Sequence, residues 1–174
     1  MGFDVVTVPP VKLHGRAISS TRIREAVQSS DFETAQQCLG RPPLLLGTVS
    51  HGDRVGHQLG YPTANLDVSP SVLLPQDGVF LVHAFTGSTC STGLLYIGTR
   101  PTFHGQTLRC EVHLLDAPSD SLYGEKMEIH FLERIRDDLT LPSMEALRDQ
   151  IATDIASARD REAKYPRATA LFVS

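Results

Sequence analysis

The spacing of apolar and polar residues changes character three times along the chain. Residues 19–43 read as helical but repeatedly interrupted: Ser19, Ser20 and Thr21 are capping types, placing a helix from about Thr21 to Gln28. Ser30 with Glu33 three residues on has capping-box spacing, and Gly40 then Pro42 supply a stop, which predicts a second short helix over Phe32–Leu39. From Leu44 the period becomes two and the composition β-rich, predicting strands at Leu44–Ser50, Gly78–Thr86, Thr92–Gly98, Thr107–Asp116 and Glu125–Glu133. Gly87-Ser88 and Asp116–Asp120 read as hairpin connections, so the pairing is antiparallel, and a small barrel follows because closing the sheet removes its edges. Beyond it, Ser143 can cap a helix in which Met144, Leu147, Ile151, Ile155 and Ala158 share one face, with Arg148, Asp149, Asp154 and Arg159 elsewhere. That helix is expected to pack on the barrel. The organisation expected is a helical arm over residues 1–43, a barrel with its C-terminal helix over 44–165, and a tail over 166–174.

Composition narrows the setting. A chain of 174 residues with 41% hydrophobic content can bury a core large enough to need neither disulfides nor a structural metal. Sixteen Lys and Arg against twenty Asp and Glu give a net charge of −4, which argues against a nucleic-acid partner. No apolar run approaches the roughly twenty residues of a membrane span, and no basic-then-apolar leader opens the chain. The expectation is a cytoplasmic protein with no membrane partner, a monomer or weak oligomer. Cys38, Cys90 and Cys110 are odd in number, far apart and without a Cys-x-x-Cys pair, so reduced, buried thiols are expected rather than a disulfide framework or zinc site. Of seven histidines only His51 and His57 share a loop, and no zinc-site spacing emerges.

The densest chemical signal runs from Gly47 to Asn65. Glycines at 52, 56 and 60 let backbone amides approach an anion, as a phosphate-cradling loop requires, although a long hairpin has the same glycines and the Gly-Lys-Ser/Thr of a P-loop is missing. In an extended Pro62-Thr63-Ala64-Asn65 segment the Thr63 hydroxyl and Asn65 carbonyl fall on one side. Both are hard oxygen donors suited to magnesium arriving with ATP; the alternative is a turn that merely ends the loop. Along Arg109–Asp116, alternation sends Cys110, Val112 and Leu114 inward and Arg109, Glu111 and His113 outward, either to solvent or to a cleft. A glutamate held on a strand is a plausible general base for a hydroxyl nucleophile. Arg136 reads either as a ligand anchor or as a surface charge.

With these residues in view, the chain resembles the riboflavin kinase module of bifunctional bacterial riboflavin kinase/FMN adenylyltransferases. The resemblance covers about residues 16–160, through Ile18–Arg24, Leu39-Gly-Arg-Pro42, Gly60-Tyr-Pro-Thr-Ala-Asn65, Ile97-Gly-Thr-Arg-Pro-Thr102 and Glu111-Val-His-Leu-Leu-Asp116. It implies a mainly β fold, a six-stranded antiparallel Greek-key barrel with a C-terminal helix, and ATP-dependent phosphorylation of the riboflavin 5′-hydroxyl to FMN and ADP. It also implies roles: Thr63 and Asn65 hold Mg-ATP, Gly52 belongs to the nucleotide loop, Glu111 is the catalytic base, His57, His113 and Tyr123 lie with the nucleotide, and Arg136 lies in the flavin-side loop. Ile18–Arg24 looks like one motif of the adenylyltransferase domain without its His-x-Gly-His partner, so no FAD synthesis is expected of this chain. His57, Tyr96 and Leu139–Leu141 depart from the family pattern, His57 where a permanent cation is usual and Leu139–Leu141 on the flavin side. Two other readings compete: a non-catalytic flavin- or nucleotide-binding remnant of the same barrel, and a purely structural barrel serving as an interaction domain.

Overall fold

The computed structural model describes residues 3–52, 55–102, 105–116, 122–167 and 169–173. At the N-terminus β1 (Lys12–Leu13) and β2 (Arg16–Ala17) pair through a tight turn in which His14 and Gly15 both have positive φ, the conformation two-residue hairpins prefer. Helix α1 (Ser20–Gln28) is capped by the Ser19 hydroxyl, which accepts from the Arg22 amide. Helix α2 (Phe32–Leu39) ends, as expected, on Gly40 in the left-handed region. Its cap differs from the predicted box: Asp31, not Ser30, accepts from the Thr34 amide. Ser30 has φ +61 and turns its hydroxyl instead to Arg134 Nη1 at 2.9 Å, tying the arm to the barrel.

Six strands close the barrel in the order β3 (Leu44–Ser50), β4 (Ala64–Val68), β7 (Gly105–Leu114), β6 (Thr89–Thr102), β5 (Gly78–Thr86) and β8 (Lys126–Asp137), all neighbours antiparallel. A four-residue helix, α3 (Val55–Gln58), lies between β3 and β4. Strands β5 to β7 follow one another while β8 returns beside β5, which is Greek-key topology. The expected Gly87-Ser88 hairpin joins β5 to β6, whereas residues 117–121 of the other expected hairpin lie outside the described residues. Strand β4, extended but not counted as a strand from sequence, supplies the sixth.

Inward residues fill the barrel: Leu45 and Val49, Ala64 and Leu66, Phe80 and Val82, Leu95 and Ile97, Cys110 and Val112, and Met127 and Ile129 form one cluster. Phe32 of α2 joins it, its ring centroid 5.9 Å from Phe80 and 5.1 Å from Phe131. Strand β5 is buried on both faces because α4 (Met144–Glu162), capped by Ser143, covers its outer side: Val79, Leu81 and Leu94 pack with Ala158, Ile155 and Leu132. Met144, placed on that apolar face from spacing, is exposed. No helix of the described residues is long and apolar enough to cross a membrane. Of the three free cysteines only Cys110 is fully buried; Cys38 and Cys90 are half-buried.

The tail is fastened by one carboxylate. Glu128, fully buried on β8, accepts from the amides of Leu171 (2.8 Å), Phe172 (2.7 Å) and Val173 (3.2 Å) and bonds His130 Nε2 at 2.5 Å. Burial alone would raise its pKa; the tail amides and His130 outweigh it and hold the carboxyl below its ordinary value. A depressed folded pKa stabilises the fold fully above the unfolded value, about 4.3, and the gain is lost as pH falls through the folded value. Urea midpoints measured from pH 7 to pH 3 should therefore show the advantage of the wild type over Glu128→Gln intact near neutrality and shrinking below about pH 4.3.

Candidate active site

Strand register places five side chains in one row across the outside of the barrel. Asn65 on β4 stands opposite Glu111 on β7, Glu111 opposite Tyr96 on β6, Tyr96 opposite Val79 on β5, and Val79 opposite Arg136 on β8. Neighbouring strands lie about 4.8 Å apart, so the row brings the Pro62–Asn65 segment, the Arg109–Asp116 strand and Arg136 to one surface. Over it, between the barrel and the N-terminal half of α4, opens a cavity of about 170 Å³ whose wall includes Thr63, Glu111, His113 and Arg136.

The alternation of β7 is as read from sequence: Cys110, Val112 and Leu114 are buried, and Arg109, Glu111 and His113 face outward. Glu111 Oε2 accepts from the Thr63 hydroxyl at 3.3 Å, and Oε1 accepts from Arg109 Nη1 at 3.2 Å. Both carboxylate oxygens are thus oriented, one toward the loop segment and one toward a guanidinium. His113 Nδ1 lies 2.8 Å from the Pro62 carbonyl, which can only accept, so that nitrogen carries a proton and donates it. Tyr61 meets the His113 ring edge-on at 5.9 Å.

Gly52 and Asn65 form a second group at the barrel rim beyond the cavity wall. A Cβ on Gly52 would overlap the Asn65 side-chain amide, so a larger residue there would have to push that side chain aside. Next to Gly52, His51 stacks on Tyr123 with centroids 4.0 Å apart. Gly56 makes a similar close approach to the Tyr61 carbonyl and Thr63. His57 falls in α3, but its side chain lies outside the described residues. Thr63, Asn65 and Glu111 together offer neutral and anionic oxygens, the donor set of a magnesium ion that keeps water and phosphate ligands. No cluster of three or more His, Cys, Asp or Glu with metal-binding geometry occurs among the described residues.

Arg136 is neither an exposed surface charge nor an unpaired anchor. Its Nε and Nη2 meet the Asp154 carboxylate at 2.9–3.0 Å, and Nη1 donates to the Asp137 carbonyl. Asp154, set apart from the apolar face of α4 by spacing, is only 4% exposed and also accepts from Gln150 at 2.9 Å. A buried acid demands such partners, and Gln150 one turn earlier was the available signal. The pair fixes α4 against β8 at the end of the cavity that Leu139, Leu141, Leu147 and Ile151 make apolar.

Residues 39–161 match the riboflavin kinase (flavokinase) family model. The chain is 38% identical over 159 residues to a bifunctional riboflavin kinase/FMN adenylyltransferase of Pseudomonas fluorescens, covering 91% of this chain and 50% of that one. It is 37% identical over 160 residues to the Escherichia coli K12 protein of the same description, again 91% of this chain and 50% of the other. The chain thus spans about half the length of the curated relatives it matches. Among solved structures, one described as a macrolide-efflux protein from Streptococcus pneumoniae superposes with a TM-score of 0.81 at 37% identity, covering 88% of this chain and 50% of that one. The riboflavin kinase of Trypanosoma brucei superposes with a TM-score of 0.51 at 25% identity, covering 70% of this chain and 80% of that one.

Proposed function

Because this chain belongs to the riboflavin kinase family, we propose that it transfers the γ-phosphoryl group of ATP to the 5′-hydroxyl of riboflavin, with Glu111 as the base. The observation that supports this most is the meeting of Thr63 Oγ1 and Glu111 Oε2 at 3.3 Å, with Asn65 opposite Glu111 in register. Glu111 takes the proton of the 5′-hydroxyl while that oxygen bonds to the γ-phosphorus in line and the bond to the β-phosphate bridging oxygen breaks, leaving FMN and ADP. Thr63 and Asn65 would hold magnesium, which neutralises charge on the transferring phosphoryl oxygens.

Arg109 holds the second oxygen of Glu111, so the base is oriented before the acceptor arrives. The Gly52 loop, His113 and Tyr123 serve the nucleotide; Arg136, braced by Asp154, shapes the flavin end. Closing the site excludes water and so prevents idle ATP hydrolysis. We infer likewise that this stretch, which spans about half the length of its bifunctional relatives, makes FMN and not FAD.

Incubation of the chain with riboflavin, ATP and Mg2+, followed by chromatography, should yield FMN and ADP in equal amounts, no FAD, and no product once EDTA removes the metal. Flavin binding without turnover would instead support the non-catalytic remnant.

A further inference from the structure

We infer that His113 is a positioning residue for the metal-bound nucleotide: it holds the Pro62 carbonyl and through that peptide aims the Thr63 hydroxyl oxygen. The inference rests on the riboflavin kinase reading and says how His113 serves the nucleotide, through Thr63 rather than by touching it.

Thr63 stands just outside the sheet that positions its neighbours. Strand β4 begins at Ala64, and its pairing with β7 runs from Ala64 opposite Val112 to Asn65 opposite Glu111. Continued by one residue, that register would set Thr63 opposite His113, but the pairing stops short of it. What reaches across instead is the His113 side chain, whose Nδ1 donates to the Pro62 carbonyl at 2.8 Å. That carbonyl shares a rigid plane with the nitrogen and Cα of Thr63, and the proline ring fixes φ on its other side. Only ψ of Pro62 turns between the ring and Thr63, and the bond from His113 holds it.

The segment is gripped from its other side as well. The Tyr61 amide donates to the Gly56 carbonyl at 2.8 Å, and a Cβ on Gly56 would overlap the Tyr61 carbonyl and lie 3.1 Å from Thr63 Oγ1. The Tyr61 ring in turn meets the His113 imidazole edge-on. Thr63 donates its hydroxyl proton to Glu111 Oε2, so its oxygen is left with lone pairs to offer. A hard oxygen held in one attitude suits a small cation that demands near-ideal geometry. Losing the group that orients such a donor costs about 10- to 100-fold in metal affinity.

The test is a calorimetric titration of the full chain with ADP, in Mg2+ and in EDTA, beside kcat and KM for FMN formation. Asparagine places an amide N–H near the position of the imidazole Nδ1, glutamine near that of Nε2. His113→Asn should therefore bind ADP as wild type does. His113→Gln and His113→Leu should lose about tenfold of the affinity that Mg2+ adds and leave ADP binding in EDTA unchanged. They should also raise the Mg2+ concentration for half-maximal FMN formation by a similar factor, with the riboflavin KM unchanged. In a Thr63→Val background the same substitutions should cost nothing further, since the oxygen they aim is gone. An asparagine variant no better than glutamine, an equal loss of ADP affinity in EDTA, or full additivity with Thr63→Val overturns the inference. So does a wild-type chain whose ADP affinity Mg2+ does not raise. If His113→Leu fails to fold, the asparagine and glutamine variants decide between them. A wild-type chain that binds ADP with Mg2+ yet makes no FMN overturns the kinase reading itself, a separate result.

Discussion

Glu111→Gln should lower kcat for FMN formation by about 100- to 10,000-fold, the usual contribution of a positioned general base, with both KM values within a few-fold of wild type. The amide is nearly isosteric and can still accept from Thr63 through its carbonyl oxygen, so that tether survives, while the bond from Arg109 and the proton acceptor are lost. The loss should thus fall on the chemical step alone, the signature of an interaction made in the transition state. Single-turnover measurements with saturating Mg-ATP separate the two. A variant with wild-type kcat would remove Glu111 from the chemistry and leave Thr63, Asn65 and the metal to act on an unassisted hydroxyl.

The second large effect concerns stability. Phe32 is 3% exposed and packs its ring against Phe80 and Phe131 inside the barrel cluster, yet it precedes residue 39, where the family match begins. Phe32→Ala should cost about 3–5 kcal/mol, because the cavity it leaves is walled by strands that cannot collapse onto it. Against a total of about 5–15 kcal/mol, that brings the chain near its unfolding threshold at growth temperature. Urea denaturation should show the midpoint falling with little change in slope. Glu33→Ala, on the exposed side of the same helix, should stay within about 0.5 kcal/mol of wild type. Equal midpoints for the two variants would mean that α2 is an appendage rather than a plug.

Elements bounded by clear turn and cap residues were readable in advance. The alternation from Arg109 to Leu114 separated core from site residues correctly, and the ends of β3, β5 and α2 fell where punctuation placed them. Strand β4 was harder, because Ala64–Val68 is short, follows a proline and carries Asn65 and Asp67, poor strand formers that hydrogen bonding to β3 and β7 overrides. Strand β6 runs on through Pro101 to Thr102, beyond the Gly98 end expected from sequence, because pairing with the long β7 continues that far. The Ser30 cap failed because two oxygen-bearing residues compete there, and the backbone turned Ser30 toward Arg134.

The site divides the same way. Local order alone set Thr63 and Asn65 on one side and Glu111 on an outward face, but nothing local says that residue 65 stands opposite 111, since register between strands 46 positions apart is a property of the closed sheet. Their shared role came from the family resemblance. Asp154 escaped notice because helical spacing measures distance from an apolar stripe and cannot see a guanidinium waiting on another strand.

The row from Asn65 to Arg136 draws each of its members from a different strand of a ring that has no free end. A residue gained or lost inside any of these strands would rotate its contribution into the barrel interior unless a bulge absorbed it, as β8 does twice opposite β5, beside Val79 and again after Leu81. Such a surface can be retuned by exchanging side chains, and new length is tolerated at turns such as Gly87, whereas within the staves each added residue needs a bulge of its own.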